Sequence, residues 1–216
     1  MKALRTSALP LLLTVAALLA WSGCAKVYTA PETAAAVQEH HLMAVLPPAV
    51  SIAAQRKVDG EAQRAQERTD ALAFQQEMVT WLLKRKQQGR LQLEVQDAQT
   101  TLVRLERAGY TGLNSMTADE LARALGVDAV MTSTFRMSKP MSTGGAIASQ
   151  LLLGYGSSNE VAATVSLYDG KTGRLLWNYD QALQGGAVSS ATMLVDNLMR
   201  SATKKMPYAE VARTAR

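Results

Sequence analysis

Val165-Ser-Leu-Tyr-Asp-Gly-Lys-Thr-Gly-Arg-Leu-Leu-Trp177 reads as two strands and the turn that joins them. Val161 to Tyr168 reads as one strand and Arg174 to Gln184 as the next, and Asp169-Gly-Lys-Thr-Gly173 lies between. Glycine supplies positive φ in such a turn and aspartate closes it through its side chain, so a hairpin is expected. Gly170-Lys171-Thr172 mimics the end of a phosphate-binding loop, but the first glycine of that motif falls at Val165. A phosphate loop also needs a strand-to-helix turn to aim its amides, and the context here is strand-turn-strand. Trp177 and Tyr179 share one face of the second strand, which predicts core packing beneath a helix.

Val127 to Met137 reads as the strand preceding the hairpin. A helix from Thr117 feeds it, with Glu120 placed for a capping box and Gly126 as the stop. Another helix runs from about Asp97 to Gly109. Leu91, Leu93 and Val95 alternate with polar residues, the period of a peripheral strand with one wet face. From Asp70 to Gly89 a helix carries Leu72, Val79, Leu82 and Leu83 as its stripe, with Met78 and Trp81 beside it. Leu42 to Leu46, stopped by Pro47-Pro48, reads as a strand buried on both faces. Ser51 to Arg68 has almost nothing to bury, an exposed loop or a solvated helical extension. A last helix follows Gly185-Gly186 and halts at Pro207, with Val188, Ala191, Val195, Leu198 and Ala202 on one face. The expected fold is α/β: a layered mixed β-sheet of about five strands with packed helices, in the order β-α-β-α-α-β-β-β-α.

The chain has 216 residues, 48% hydrophobic and 19% charged, with one cysteine and two histidines. That excludes a disordered polyelectrolyte, a disulfide scaffold and a polytopic membrane protein. Lys2 and Arg5, an apolar run from Ala8 to Ala20 too short to span a bilayer, and Ser22-Gly23 before Cys24 make an export signal. The divisions expected are a lipoprotein signal peptide over 1–23, a lipidated tether over 24–40, one α/β domain over 41–208 and a flexible tail over 209–216. Residues 1–23 hold Lys2 and Arg5 and no acid, so their removal takes the formal charge from +5 to +3. The basic pI therefore carries little functional weight, and export removes nucleic acid as an expected partner.

Ser22-Gly23-Cys24 resembles the lipobox at which bacterial lipoproteins are cut and acylated on the new N-terminal cysteine. By that resemblance Cys24 is the lipid (palmitate) attachment, and Ala25 favours the periplasmic face of the outer membrane. The alternative is an ordinary secretory peptide with an idle Cys24 and a soluble periplasmic or secreted product. Leu42-Met-Ala-Val-Leu-Pro-Pro48, Leu121-Ala-Arg-Ala-Leu-Gly-Val-Asp-Ala-Val130 and the hairpin stretch together cover about 160 residues from the first strand to the last helix. In order and spacing they resemble a periplasmic lipoprotein superfamily. It includes the curli-secretion channel subunit, the lipoprotein activator of penicillin-binding proteins and the N-terminal domain of the Tol-Pal propeller protein. Lys139-Pro-Met, Ser158-Asn-Glu-Val and Lys204-Lys-Met-Pro-Tyr208 resemble a narrower bacterial lipoprotein subgroup, which implies no activity.

No hydrolase motif is present, and His40 and His41 are adjacent, so on extended chain they point to opposite faces and suit no shared metal. Neither a metal nor a cofactor is expected. Asp128, Asp169 and Asp180 are the carboxylates an enzyme would have to use, and their places at strand starts and turns are explained by folding. The connection from Met141 to Glu160 is longer than neighbouring strands need and carries Ile147, Leu151, Leu152, Leu153 and Tyr155. Those five residues are the candidate interaction loop, with the polar stretch Gln55 to Arg68 as a second contact. The bland account of the loop is a short helix folded onto a sheet edge. The functional expectation is a non-enzymatic outer-membrane lipoprotein, a periplasmic binding or assembly module for an envelope protein. The alternative is an oligomeric, secretion-channel-like component that self-associates through the 141–160 loop.

Overall fold

A computed structural model describes residues 25–53, 60–112, 115–138, 159–185 and 191–209. Along the chain run β1 (Lys26–Thr29), α1 (Thr33–Glu39), β2 (Leu42–Val45), β3 (Ala49–Ile52), α2 (Gly60–Gln87) and β4 (Glu94–Val95). Then follow α3 (Ala98–Arg107), α4 (Ala118–Leu125), β5 (Ala129–Met137), β6 (Asn159–Asp169), β7 (Leu175–Gly185) and α5 (Ala191–Ala202). The strands form one mixed sheet in the order β1-β7-β6-β5-β2-β4, and β3 lies in line beyond β2 on the same side of β5.

The expected layered α/β fold is present, with seven strands where about five were expected. The two additions, β1 and β3, are four-residue strands, too short to show a period. Residues 25–39, expected as a tether, are built into the domain. β1 pairs antiparallel with β7, and Thr33 at the start of α1 donates its hydroxyl to the Leu176 carbonyl at 2.8 Å. Small and polar composition suggests a tether, whereas backbone pairing to β7 requires no apolar side chain.

β2 alternates between two cores. Met43 and Val45 enter a large one under α2 and α5, while Ala44 and Leu46 enter a smaller one with Leu105, Leu121, Leu125 and Val130 under α3 and α4. Burial on both faces explains the uninterrupted apolar run of this strand. Trp177 and Tyr179 are buried in the large core with their rings stacked. On α2 the inward face is Phe74, Gln75, Met78, Val79 and Leu82, with Phe74 stacked on Phe135 at 4.4 Å. Leu72 and Leu83, placed on the stripe by the sequence reading, are exposed at 47% and 43%. They stand well to one side of the Phe74-Met78-Leu82 row at a helix's 3.6-residue turn.

The stretch before Asp70 is helical from Gly60, and its polar side chains close the end of β3. Glu67 accepts the Ile52 amide at 3.0 Å and Gln63 donates to the Ile52 carbonyl at 2.9 Å. No helix among the described residues is long and apolar enough to cross a membrane.

Candidate functional site: a basic-rimmed cleft and the polar pin behind it

The chain turns sharply at the end of the sheet where β2, β4 and β5 begin, and three segments meet there. The first is the last turn of α2, with Lys84, Arg85 and Lys86 placed where the helix dipole favours cations. The second is the link to β4, Gly89 to Leu91, and the third is the chain after α5, residues 203–209. They enclose an open cleft of about 470 Å³. Its apolar floor is Trp81, Leu82, Leu91 and Met206, and its rim carries Arg85, Arg90 and Lys204.

The Arg85 guanidinium lies 4.2 Å from the centre of the Trp81 ring, a cation–π stack that holds it at the cleft wall. Trp81 donates its indole N–H to Asp196 on α5 at 3.2 Å, and Asp196 also pairs with Arg200. Burial lowers the pKa of Arg85, and Arg90 and Arg200 lower it further against the opposing pull of Asp196. Positive charge is therefore crowded and only partly offset at this rim. Neither Arg90 nor Lys204 has an acidic partner among the described residues.

A polar pin fixes the third wall. His40 has only 3% of its side chain exposed; Nδ1 lies 2.7 Å from the Tyr208 hydroxyl and Nε2 lies 3.0 Å from Asp169 Oδ1. Asp169 Oδ2 accepts the Thr172 amide at 2.8 Å and the Thr172 hydroxyl, so the hairpin turn and the pin share one carboxylate. Burial alone would raise the Asp169 pKa, but the bonds from Thr172 and His40 outweigh it and hold the carboxyl below the usual range. Burial, with Asp128 and Asp169 nearby, pushes the Tyr208 hydroxyl far up, which keeps it protonated.

The carboxylates considered for catalysis are each engaged structurally. Asp128 Oδ2 accepts the amides of His41 and Leu42 at 2.8 and 2.9 Å, tying the start of β2 to the start of β5. Asp180 accepts from Thr164 at 2.6 Å and from Asn178 at 2.8 Å on the sheet face beside β1. His41 points outward, with 86% of its side chain exposed, away from the buried His40. No group of three or more metal-ligating side chains occurs among the described residues.

Cys24 and the candidate loop residues Ile147, Leu151, Leu152, Leu153 and Tyr155 lie outside the described residues. The cleft leaves no local mark in the sequence because its lining comes from positions 81–91 and 203–209, and His40 shows no role there because its partners are remote in sequence. One signal was available: the Lys204-Lys-Met-Pro-Tyr208 motif supplies rim, floor and pin within five residues.

No family model matches the chain, and no curated protein matches it. Similar solved folds include a lipoprotein from Neisseria meningitidis, at 16% identity over 76% of this chain and 96% of that chain, with TM-score 0.45. The PelC dodecamer from Paraburkholderia phytofirmans is similar at 13% identity over 87% and 97%, TM-score 0.42. The C-terminal domain of LpoB from Salmonella enterica is similar at 15% identity over 71% and 93%, TM-score 0.35. Lipoproteins of the kind the sequence motifs resemble are thus among the similar folds. At these identities and scores the likeness concerns the course of the chain, and no site or activity passes across it.

Proposed function

We propose that this chain is a non-enzymatic lipoprotein of the outer membrane, held by lipid on Cys24 at the periplasmic face, whose α/β domain binds another envelope component. The observation that carries this reading is the place of the only cysteine. It stands after Ser22-Gly23 at the end of the export signal, two residues before β1 enters the sheet. Acylation on more than one chain contributes about 0.8 kcal/mol per buried CH₂, so no spanning helix is needed for stable attachment. The exposed cleft with its basic rim supports a binding role, and the structural engagement of Asp128, Asp169 and Asp180 supports a non-catalytic one.

Labelled palmitate supplied to a Gram-negative host should mark the wild-type chain in the membrane fraction. Cys24→Ala should be unlabelled and released to the periplasm. Equal labelling or equal fractionation of the two would sink the lipoprotein reading.

A second reading, self-association into an oligomer, is favoured by β1. It is an edge strand with all four residues exposed, and Val27 and Tyr28 are 41% and 50% accessible. The native mass of the membrane-extracted protein in mild detergent separates the readings: a discrete multimer supports the oligomer and a monomer excludes it.

A further inference from the structure

We propose that the cleft between the end of α2 and residues 203–209 is a binding site for one anionic amphiphile. Its alkyl chain would lie on Trp81, Leu82, Leu91 and Met206, and its acidic head between Arg85, Arg90 and Lys204. This rests on the proposed binding role of the domain and names the chemistry of what is bound.

Three observations lead to it. The first is shape: a concave space of about 470 Å³ falls in the range of small-ligand sites, whereas a protein partner needs on the order of 800 Å² of fitted surface per side. The second is the division of character, with aromatic, leucine and methionine side chains beneath a rim of cations. An acyl carboxylate or alkyl phosphate has that division within one molecule. The third is the charge imbalance. Asp196 is already shared by Trp81 and Arg200, while Arg85 feels Arg90 and Arg200 as repulsive neighbours. An anion seated there would relieve that repulsion without displacing any acid from Arg90 or Lys204.

The concave shape and small volume of the cleft favour a single molecule over the surface of a bilayer. β1 runs toward the cleft end, with Lys26 opposite Asp180 and Thr29 opposite Trp177, and the His40–Asp169 pin marks that end of the sheet. The chain therefore enters the sheet halfway along β7 and runs from there toward the cleft end.

The test uses the exported full chain carrying Cys24→Ala, which bears no lipid of its own. Laurate, kept below its micelle-forming concentration, is titrated in by calorimetry. Saturable one-to-one binding is expected, with dodecanol at least ~10-fold weaker. The Arg90→Gln, Lys204→Gln double variant, which breaks no ion pair among the described residues, should weaken laurate by ~10-fold or more and leave the unfolding temperature unchanged.

Equal affinity for dodecanol, no effect of the double variant, binding only to anionic phosphatidylglycerol vesicles, or a preference for an acidic peptide would each overturn the assignment. The palmitate experiment is read separately. Lipid attachment without laurate binding defeats this inference alone, and laurate binding without lipid attachment defeats the lipoprotein reading alone.

Discussion

The His40 imidazole reaches the Tyr208 hydroxyl at 2.7 Å across 168 positions of sequence, and by this contact the last described turn of the chain is fastened to the linker between α1 and β2. Both side chains are buried, so the bond is not exchanged freely for water. Tyr208→Phe keeps the ring and removes the hydroxyl. It should cost about 1 kcal/mol and lower the melting temperature by a few degrees. Met206 and Lys204 precede Tyr208 on the same wall, so laurate affinity should fall too. An unchanged melting curve would show that the pin holds nothing.

Asp169 should make stability depend on pH in a defined direction. Its folded pKa is depressed, so its contribution is present above the unfolded value of about 3.9 and is lost as pH falls through the folded value. Asp169→Asn should therefore destabilise by about 2 kcal/mol at pH 7, and the gap from wild type should narrow below about pH 4. Urea midpoints at the two pH values measure it, and a gap constant with pH would refute the role given to the charge.

The opposite sign is expected at Asp70. This residue is 6% exposed on α2; Oδ1 accepts from Gln66 at 2.8 Å, while Oδ2 has no hydrogen-bond partner among the described residues. Burial raises its pKa, the Gln66 bond opposes that, and Glu67 adds to it. A raised folded pKa gives stability that is present below the unfolded value and lost as pH rises through the folded one. Asp70→Asn should consequently stabilise by about 1 kcal/mol at pH 7 and make little difference near pH 3. Destabilisation at pH 7 would mean that the carboxylate is used.

Two glycines of the hairpin should differ in why they resist substitution. At Gly170 a Cβ would stand 2.7 Å from Ala122 Cβ and 2.7 Å from the Asp128 carbonyl oxygen. The turn is pressed against α4 and the start of β5, and Gly170→Ala should cost about 2–3 kcal/mol through displaced backbone. Gly173 has φ 70°, and a Cβ there would meet only the movable Asp119 carboxylate at 3.0 Å, so Gly173→Ala should cost about 1 kcal/mol, chiefly from conformation. Equal losses in chemical denaturation would contradict the distinction.

The larger outlines were readable where side chains carry the instruction. The Asp169–Gly173 turn, the Thr117–Glu120 capping box with its Gly126 stop, and the apolar run of β2 are all local, and each element formed where the residues indicated. β1 and β3 were not readable, because edge pairing is made by backbone groups that every residue possesses. α1 was hidden for a related reason: its seven residues bury only Thr33 and Val37, too few to set a period. The site was least accessible. His40 has no signature apart from Asp169 and Tyr208, and the cleft exists only once α2 and α5 have packed side by side.

The direction of β1 also decides how the molecule bears force. Its four residues lie antiparallel along β7 from Lys26–Asp180 to Thr29–Trp177. In a chain held at Cys24, tension between the membrane and anything gripped at the far end enters at Lys26 and runs along the strand axis. The ladder bonds stand across that line and share the load together, in shear, where a peeling geometry would break them one after another. Behind them the Thr33–Leu176 and His40–Asp169 bonds act as further fasteners, so the first part of the domain to take the strain is also the part stitched most directly to the central hairpin.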